Sequence, residues 1–266
     1  MATSPTTQNY PSDLTDAEWA LLDPLIPKAR KPGRPESYPK RAVLDAIFYL
    51  VRSGCAWRML PHDLPPWKLV WHYFARWKKL GVWAQLNDAL RDAVRLQAGK
   101  KKAPTAAILD AQSVRTTESG GLRGYDAGKK VAGRKRHLLV DTLGLILLAK
   151  VHAADVQDRD GARLLLAALA TRFGWLRCLW ADGGYAGALV AWVRQLRPRR
   201  GTRLEIVKHG TKLDHFKILP RRWVVERTFA WLGRSRRLSK DYEHTVCSSE
   251  AFIYLAMIRL MLRRLA

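Results

Sequence analysis

Along the first hundred residues the apolar positions recur three and four apart, the spacing that lays one stripe of a helix against a core. The stretch LTDAEWALLDPLI opens the first such helix, with Thr15 and Glu18 at capping-box spacing. KRAVLDAIFYLVRSG and PWKLVWHYFARWKKLG follow, closed by Gly54 and Gly81 where a helix end favours glycine. WAQLNDALRDAVRLQ completes an all-helical region. Residues 1–12 carry no such period and read as a flexible lead, and KARKPGRPESYP, 28–39, reads as a basic loop.

Past residue 100 the pattern shortens to apolar runs of strand length. AAILD is one such run, ending in Asp110, and RHLLVDTLGLILLAKVHA reads as two strands around a turn at Asp141 to Gly144. DRDGARLLLAALATRFG is a helix, LRCLWADGGYAG a strand ending in Asp182, ALVAWVRQLR a helix and TRLEIVKHG a last strand. A long helix from Pro220 to about Leu238 and an amphipathic closing helix over 252–266 finish the chain. The order β, β-hairpin, α, β, α, β, α predicts an α/β fold, a mixed sheet flanked by helices. The expected division is a flexible lead over 1–12, a helical, helix-turn-helix-like DNA-binding region over 13–99 and a sheet domain carrying the chemistry over 100–266.

Composition then narrows the partner. With 47 Lys and Arg against 23 Asp and Glu, the formal charge of +24 favours nucleic acid over a membrane surface. Residues 1–99 carry a net +5 and residues 100–266 a net +19, so a polyanion should lie mainly along the second part. Cys55, Cys178 and Cys247 are far apart without a C-x-x-C pair, which indicates neither a disulfide framework nor a zinc module and suits a reducing compartment. No apolar run marks a signal peptide, and the closing helix is too short and too interrupted by arginines to span a bilayer. The helix over 67–80, basic and rich in Trp, reads either as a recognition helix or as a carrier of core aromatics at Trp67, Trp71 and Trp77.

Three carboxylates invite a chemical reading. Asp110 and Asp182 each end an apolar strand, and Glu226 is the single carboxylate among seven cations between Arg221 and Lys240. Two strand-end acids and one helix acid match what two-metal phosphoryl transfer requires, with hard oxygen ligands for magnesium or manganese. Each also has a plain structural alternative: a turn cap through Ser113, an Asp-Gly turn at Gly183, and an i,i+4 ion pair between Arg222 and Glu226.

The stretches ILDAQSVRTTESGGLRGYDAGKKVAGRKRHLLVDTLGLILLAKVHAADVQDRDGA, WADGGYAG and RRWVVERTFAWLGRSRRLSKDYE resemble, in order, the catalytic region of DDE transposases of short bacterial insertion sequences, the insertion-sequence-five-like group. LTDAEWALLDPLIP and RSGCAWRMLPHDLPPWKLVWHYFARW resemble the helical region preceding it. The resemblance implies a ribonuclease H-like core with Asp110, Asp182 and Glu226 as catalytic, metal-binding triad. It further implies two Mg2+ or Mn2+ ions, double-stranded DNA as substrate, a homodimer or higher assembly on DNA, and a cytoplasmic, nucleoid-associated protein that cuts at terminal inverted repeats and joins 3′-hydroxyls to target DNA. Intervals of 72 and 44 residues between the acids leave little room for the insertion some relatives carry. In the family pattern Y-x2-R-x3-E-x6-K, Arg222 and Glu226 match, whereas Leu219 stands at the Tyr position and Gly233 at the Lys position. On a helix Arg237 projects about 20° from Glu226 and Arg234 about 80°, so either is a candidate for the missing lysine's phosphate contact. Arg222 is the further candidate on that helix, and Lys129, Lys130, Arg134 and Lys135 are DNA candidates within a mobile basic loop over 117–136.

GYDAGKK fails as a phosphate loop, since three residues rather than four separate its glycines and Lys130, not Ser or Thr, follows Lys129. His137, His152 and His209 lack metal spacing and read as structural, Asp141 as a turn residue, and Asp155 as the acid to test for a misassigned ligand. Without a G-x-S-x-G or a Cys spaced to a His, covalent catalysis is disfavoured. A ribonuclease H-like nuclease without strand transfer and a non-catalytic DNA-binding regulator are the rival readings.

Overall fold

A computed structural model describes residues 10–28, 36–196, 201–207 and 222–266. Four helices come first: α1 (Asp16–Leu22), α2 (Lys40–Ser53), α3 (Trp67–Lys79) and α4 (Val82–Gln97). The capping box forms as expected, Thr15 accepting from the Glu18 amide while the Glu18 carboxylate accepts from Thr15 N–H. Gly54 ends α2 at φ 74°, where a Cβ would also meet the Arg236 backbone at 3.0 Å.

The sheet contains β1 (Ala106–Arg115), β2 (Gly124–Asp126), β3 (Val131–Asp141), β4 (Ile146–Ala153), β5 (Cys178–Ala181) and β6 (Arg203–Ile206). Its order is β2-β3-β1-β5-β6, with β4 also on β3; β3 is antiparallel to β1, β2 and β4, whereas β1, β5 and β6 run parallel. Helices α5 (Asp158–Leu166), α6 (Leu169–Arg172), α7 (Ala188–Leu196), α8 (Trp223–Gly233) and α9 (Val246–Leu265) complete the α/β fold. Strand alternation sorts the core onto two faces. Ala107, Leu109 and Leu139 pack under α5 and α7, while Ile108, Leu138 and Val140 join a cluster shared by α2, α3, α4, α8 and α9.

Several sequence expectations change. The segment over 117–136 is not a single loop, because β2 pairs with the start of β3, leaving 117–123 and the turn at 127–130 outside the ladder. The long helix stops at Gly233, a residue of low helix propensity, and a 3-10 turn over Arg236–Leu238 follows; Leu219, Pro220 and Arg221 lie outside the described residues. The closing helix starts at Val246, capped by Thr245, and buries every residue from Ala251 to Ile258, because it lies between the sheet and the N-terminal helices. In α3, Trp77 is core and Trp67 partly buried, whereas Trp71 is half exposed. Residues 1–9, most of the basic loop at 29–35, and His209 lie outside the described residues. No helix among the described residues is long and apolar enough to cross a membrane.

Candidate functional site

Asp110 sits within β1 rather than at its end, since antiparallel pairing with β3 continues through Arg115. On its other side the ladder stops at Ile108 against Trp180, so Asp110 comes level with Asp182 as the chain leaves β5. Asp182 caps a 3-10 turn over Gly183–Tyr185, accepting the Gly184 N–H at 2.8 Å. The Ala111 amide donates to Asp110 Oδ1 at 2.7 Å. Burial raises the Asp110 carboxyl to about 6; Asp182 beside it adds to the rise, while the Ala111 bond, Arg222 and Lys129 oppose it.

Arg222 links the third acid to this pair. Its Nη2 lies 3.6 Å from Asp182 Oδ2 and 3.7 Å from Glu226 Oε1, with the guanidinium largely buried and the Glu226 side chain 60% exposed. The helical ion pair therefore exists and shares its cation with a strand acid. Among the described residues no three His, Cys, Asp or Glu side chains gather closely enough to hold one ion. Asp110 and Asp182 nonetheless suit a divalent cation in kind, being adjacent hard oxygen donors, with the charge of Asp182 adding to the rise that burial causes at Asp110. Glu226 engages Arg222, one helical turn before it, and Arg222 in turn reaches Asp182.

Tyr185, next to the acids, was not legible in the sequence, whereas His137 and His152 sit in the core as their structural reading expects. Tyr185 is buried and its hydroxyl has no partner among the described residues; burial, and the charges of Asp110, Asp158 and Asp182, push its pKa well up. Its ring meets His137 edge-on at 6.0 Å, and His137 Nδ1 lies 2.8 Å from His152 Nε2. Burial holds His137 near 3 and lowers His152, so this pair is a neutral core contact. Gly161 makes room for it: a Cβ there would sit 2.3 Å from His152 Nε2.

The basic candidates divide by burial. Arg134 is fully buried on Asp241, Lys135 is buried between Asp126 and Asp158, and Arg237 is buried on Glu243. Each of these three candidate DNA contacts has internal partners and a side chain no more than 7% exposed, so burial disfavours that role. Arg234 is exposed after α8, Lys130 is exposed, and Lys129, at the same turn, reaches back to the Ala111 carbonyl at 3.1 Å. Asp141 is buried in an ion pair with Arg95, accepting also from the Leu143 and Leu145 amides, a tie between α4 and the hairpin beyond the turn role expected. Asp155 stands exposed beside Gly124, where a Cβ would fall 2.2 Å from its Oδ1.

A ribonuclease H-like sheet with two facing aspartates and a helix-borne glutamate defines a class of carboxylate nucleases and recombinases. Residues 101–262 match the family model described as "Transposase DDE domain", and residues 14–87 match that described as "Putative transposase of IS4/5 family". The chain belongs to the DDE transposase family. The "Insertion element IS402 uncharacterized 16.2 kDa protein" of Burkholderia cepacia is 30% identical over 113 residues, 40% of this chain and 76% of that protein. The "Putative transposase for insertion sequence element IS402" of the same organism is 32% identical over 131 residues, 46% of this chain and 60% of that protein. The "Uncharacterized protein y4sN" of Sinorhizobium fredii is 33% identical over 69 residues, 26% of this chain and 55% of that protein. No solved structure matches the chain significantly.

Proposed function

We propose that the protein is a DNA transposase that cleaves at the terminal inverted repeats of an insertion sequence and joins the freed 3′-hydroxyls to target DNA. The observation that carries this reading is that Arg222 joins Glu226 to Asp182, which stands level with Asp110 at the carboxyl end of the parallel strands. Asp110, Asp182 and Glu226 are the residues that would hold divalent cations, two Mg2+ or Mn2+ ions in this reading. A bound cation supplies charge neutralisation and an activated oxygen nucleophile. Arg222 positions Glu226 and offers a phosphate contact; the exposed Lys130, and Lys129 where its bond to the Ala111 carbonyl lets go, would offer cations to the same polyanion. Cleavage and joining are both in-line attacks on phosphorus, first by water and then by a DNA 3′-hydroxyl, so one carboxylate site serves both. Cutting two ends in concert calls for a homodimer or larger assembly on DNA, with the protein in the bacterial cytoplasm at the nucleoid.

The test is cleavage and joining of a labelled duplex carrying the flanking DNA ends, with Mg2+ or Mn2+ against chelator, for wild type and for Asp110→Asn, Asp182→Asn and Glu226→Gln. Metal-dependent nicking and joined products, abolished in each folded variant, are expected. Nicking without joining would leave a nuclease, and unchanged DNA binding without cleavage in all four proteins a regulator.

A further inference from the structure

Between α2, the end of α8 and the last turns of α9 lies a hollow of about 280 Å3. Arg52, Arg234, Arg259, Arg263 and Arg264 all line it. Among the described residues only Arg259 of these five has a carboxylate partner, Glu18. The other guanidiniums take weaker neighbours: Arg52 donates to the Arg234 carbonyl at 2.8 Å, Arg263 to the Pro11 carbonyl at 3.2 Å, and Arg264 stacks 4.5 Å from the Trp231 ring centre. Carbonyl and π contacts leave net positive charge in place. Burial lowers the pKa of Arg263 first; Arg259 and Arg52 lower it further, and Glu18 opposes them. Ser12, only 5% exposed, adds a hydroxyl at the wall with no hydrogen-bond partner among the described residues.

We propose that this hollow is a phosphate-binding site that holds the DNA backbone outside the catalytic carboxylates. Guanidiniums and a free hydroxyl are all donors, and the group that matches several convergent donors is a phosphate with its oxygens in a tetrahedron. The site does not read bases. The Trp231 ring already has Arg227 and Arg264 each 4.5 Å from its centre, so guanidiniums occupy the ring that a base would stack on. Position favours a phosphate of the strand being processed, a point that rests on the transposase function proposed above. Arg234 follows Glu226 by eight residues, about 12 Å along a helix axis, or between three and four nucleotide rises at roughly 3.4 Å each. A backbone engaged at Glu226 thus reaches this hollow without bending away from the protein.

The test is the salt dependence of binding to a labelled 30-bp duplex, by fluorescence anisotropy between 50 and 200 mM salt. Removing one phosphate-binding cation should flatten the log–log slope by about 0.9, so the gap between wild type and a variant should narrow roughly 3.5-fold over that range for each cation removed. Arg52→Gln/Arg263→Gln is expected to show this, and so is Arg234→Gln, whose exposed guanidinium leaves folding untouched, with melting temperatures as the check. Slopes equal to wild type in both variants overturn the site while leaving the transposase function standing. Pyrophosphate that binds the DNA-free wild type but neither variant, with unchanged DNA slopes, assigns the hollow to a free phosphate and also overturns it. Altered slopes together with failed cleavage by wild type would instead retain the site and sink the transposase function.

Discussion

Arg134 separates a cation that meets DNA from one that holds the fold. From β3 its Nε donates to the Leu122 carbonyl at 2.7 Å, and Nη1 to Asp241 Oδ1 at 3.0 Å, the Glu243 carbonyl at 2.7 Å and Ser249 Oγ at 3.1 Å. Nη2 reaches the His244 carbonyl at 3.0 Å. One guanidinium thus fastens the turn before β2 and the start of α9 to the sheet. Arg134→Met would leave the Asp241 carboxylate, 2% exposed, without its counter-charge, which costs about 3–5 kcal/mol. Three orphaned carbonyls add about 1 kcal/mol each where water cannot reach them. The sum rivals the ~5–15 kcal/mol that holds a typical domain. Urea unfolding followed by circular dichroism should therefore show Arg134→Met largely unfolded without denaturant, and Arg134→Met/Asp241→Asn partly recovered because the buried charge is gone. A midpoint unchanged in Arg134→Met, with a flatter salt slope for DNA, would refute the burial argument and return Arg134 to the DNA surface.

Asp45 gives a pH signature: burial lifts its carboxyl to about 6, with the Leu14 amide bond opposing and Asp13 adding. A folded pKa above the unfolded one means the fold favours the neutral acid, so this group's stabilising effect is whole below about pH 4 and is lost as pH rises through 6. Asp45→Asn should be more stable than wild type by about 2 kcal/mol at pH 8 in chemical denaturation, with no difference at pH 4; equal stability at pH 8 would contradict it. Gly161→Ala forces a methyl to within 2.3 Å of His152 and should cost at least 1–3 kcal/mol in the same assay, whereas a neutral result would mean the histidine pair gives way freely. Tyr185→Phe removes a hydroxyl that has no partner among the described residues and should leave stability equal or up to about 1 kcal/mol higher; a clear loss would reveal a hydrogen bond to that oxygen.

What was legible in the sequence was local or periodic. The Thr15–Glu18 box is decided by a three-residue spacing, and the strands that carry Asp110 and lead into Asp182 by short apolar runs, although β1 runs on past Asp110 to Arg115. Register was not legible: Asp110 is level with Asp182 because β1 and β5 pair from Ala106 against Cys178, a choice made by the whole sheet. Burial of charge was hidden for the same reason. Arg134 finds Asp241 107 residues away and His137 finds His152 diagonally across a hairpin, so a tally of basic residues assigned to DNA what the core had taken. The arginine hollow was equally out of view, since its cations come from α2, α8 and α9 and share no motif.

The solitary glutamate among cations follows from the strength of its bond to Arg222. At 3.7 Å, one turn apart and with Glu226 60% exposed, the pair is worth no more than about 0.5 kcal/mol. So weak a bond cannot be what holds α8, whose buried Val225, Thr228, Phe229 and Leu232 supply that. It fixes direction instead: the guanidinium that touches Glu226 also touches Asp182, so the side chain leans toward the strand acids and is released at little cost. A carboxylate held this loosely, beside a buried aspartate whose charge is undercompensated, is poised to exchange one cation for another. On the function proposed above, the helical ion pair and a ligand role for Glu226 would be two stages of the same site.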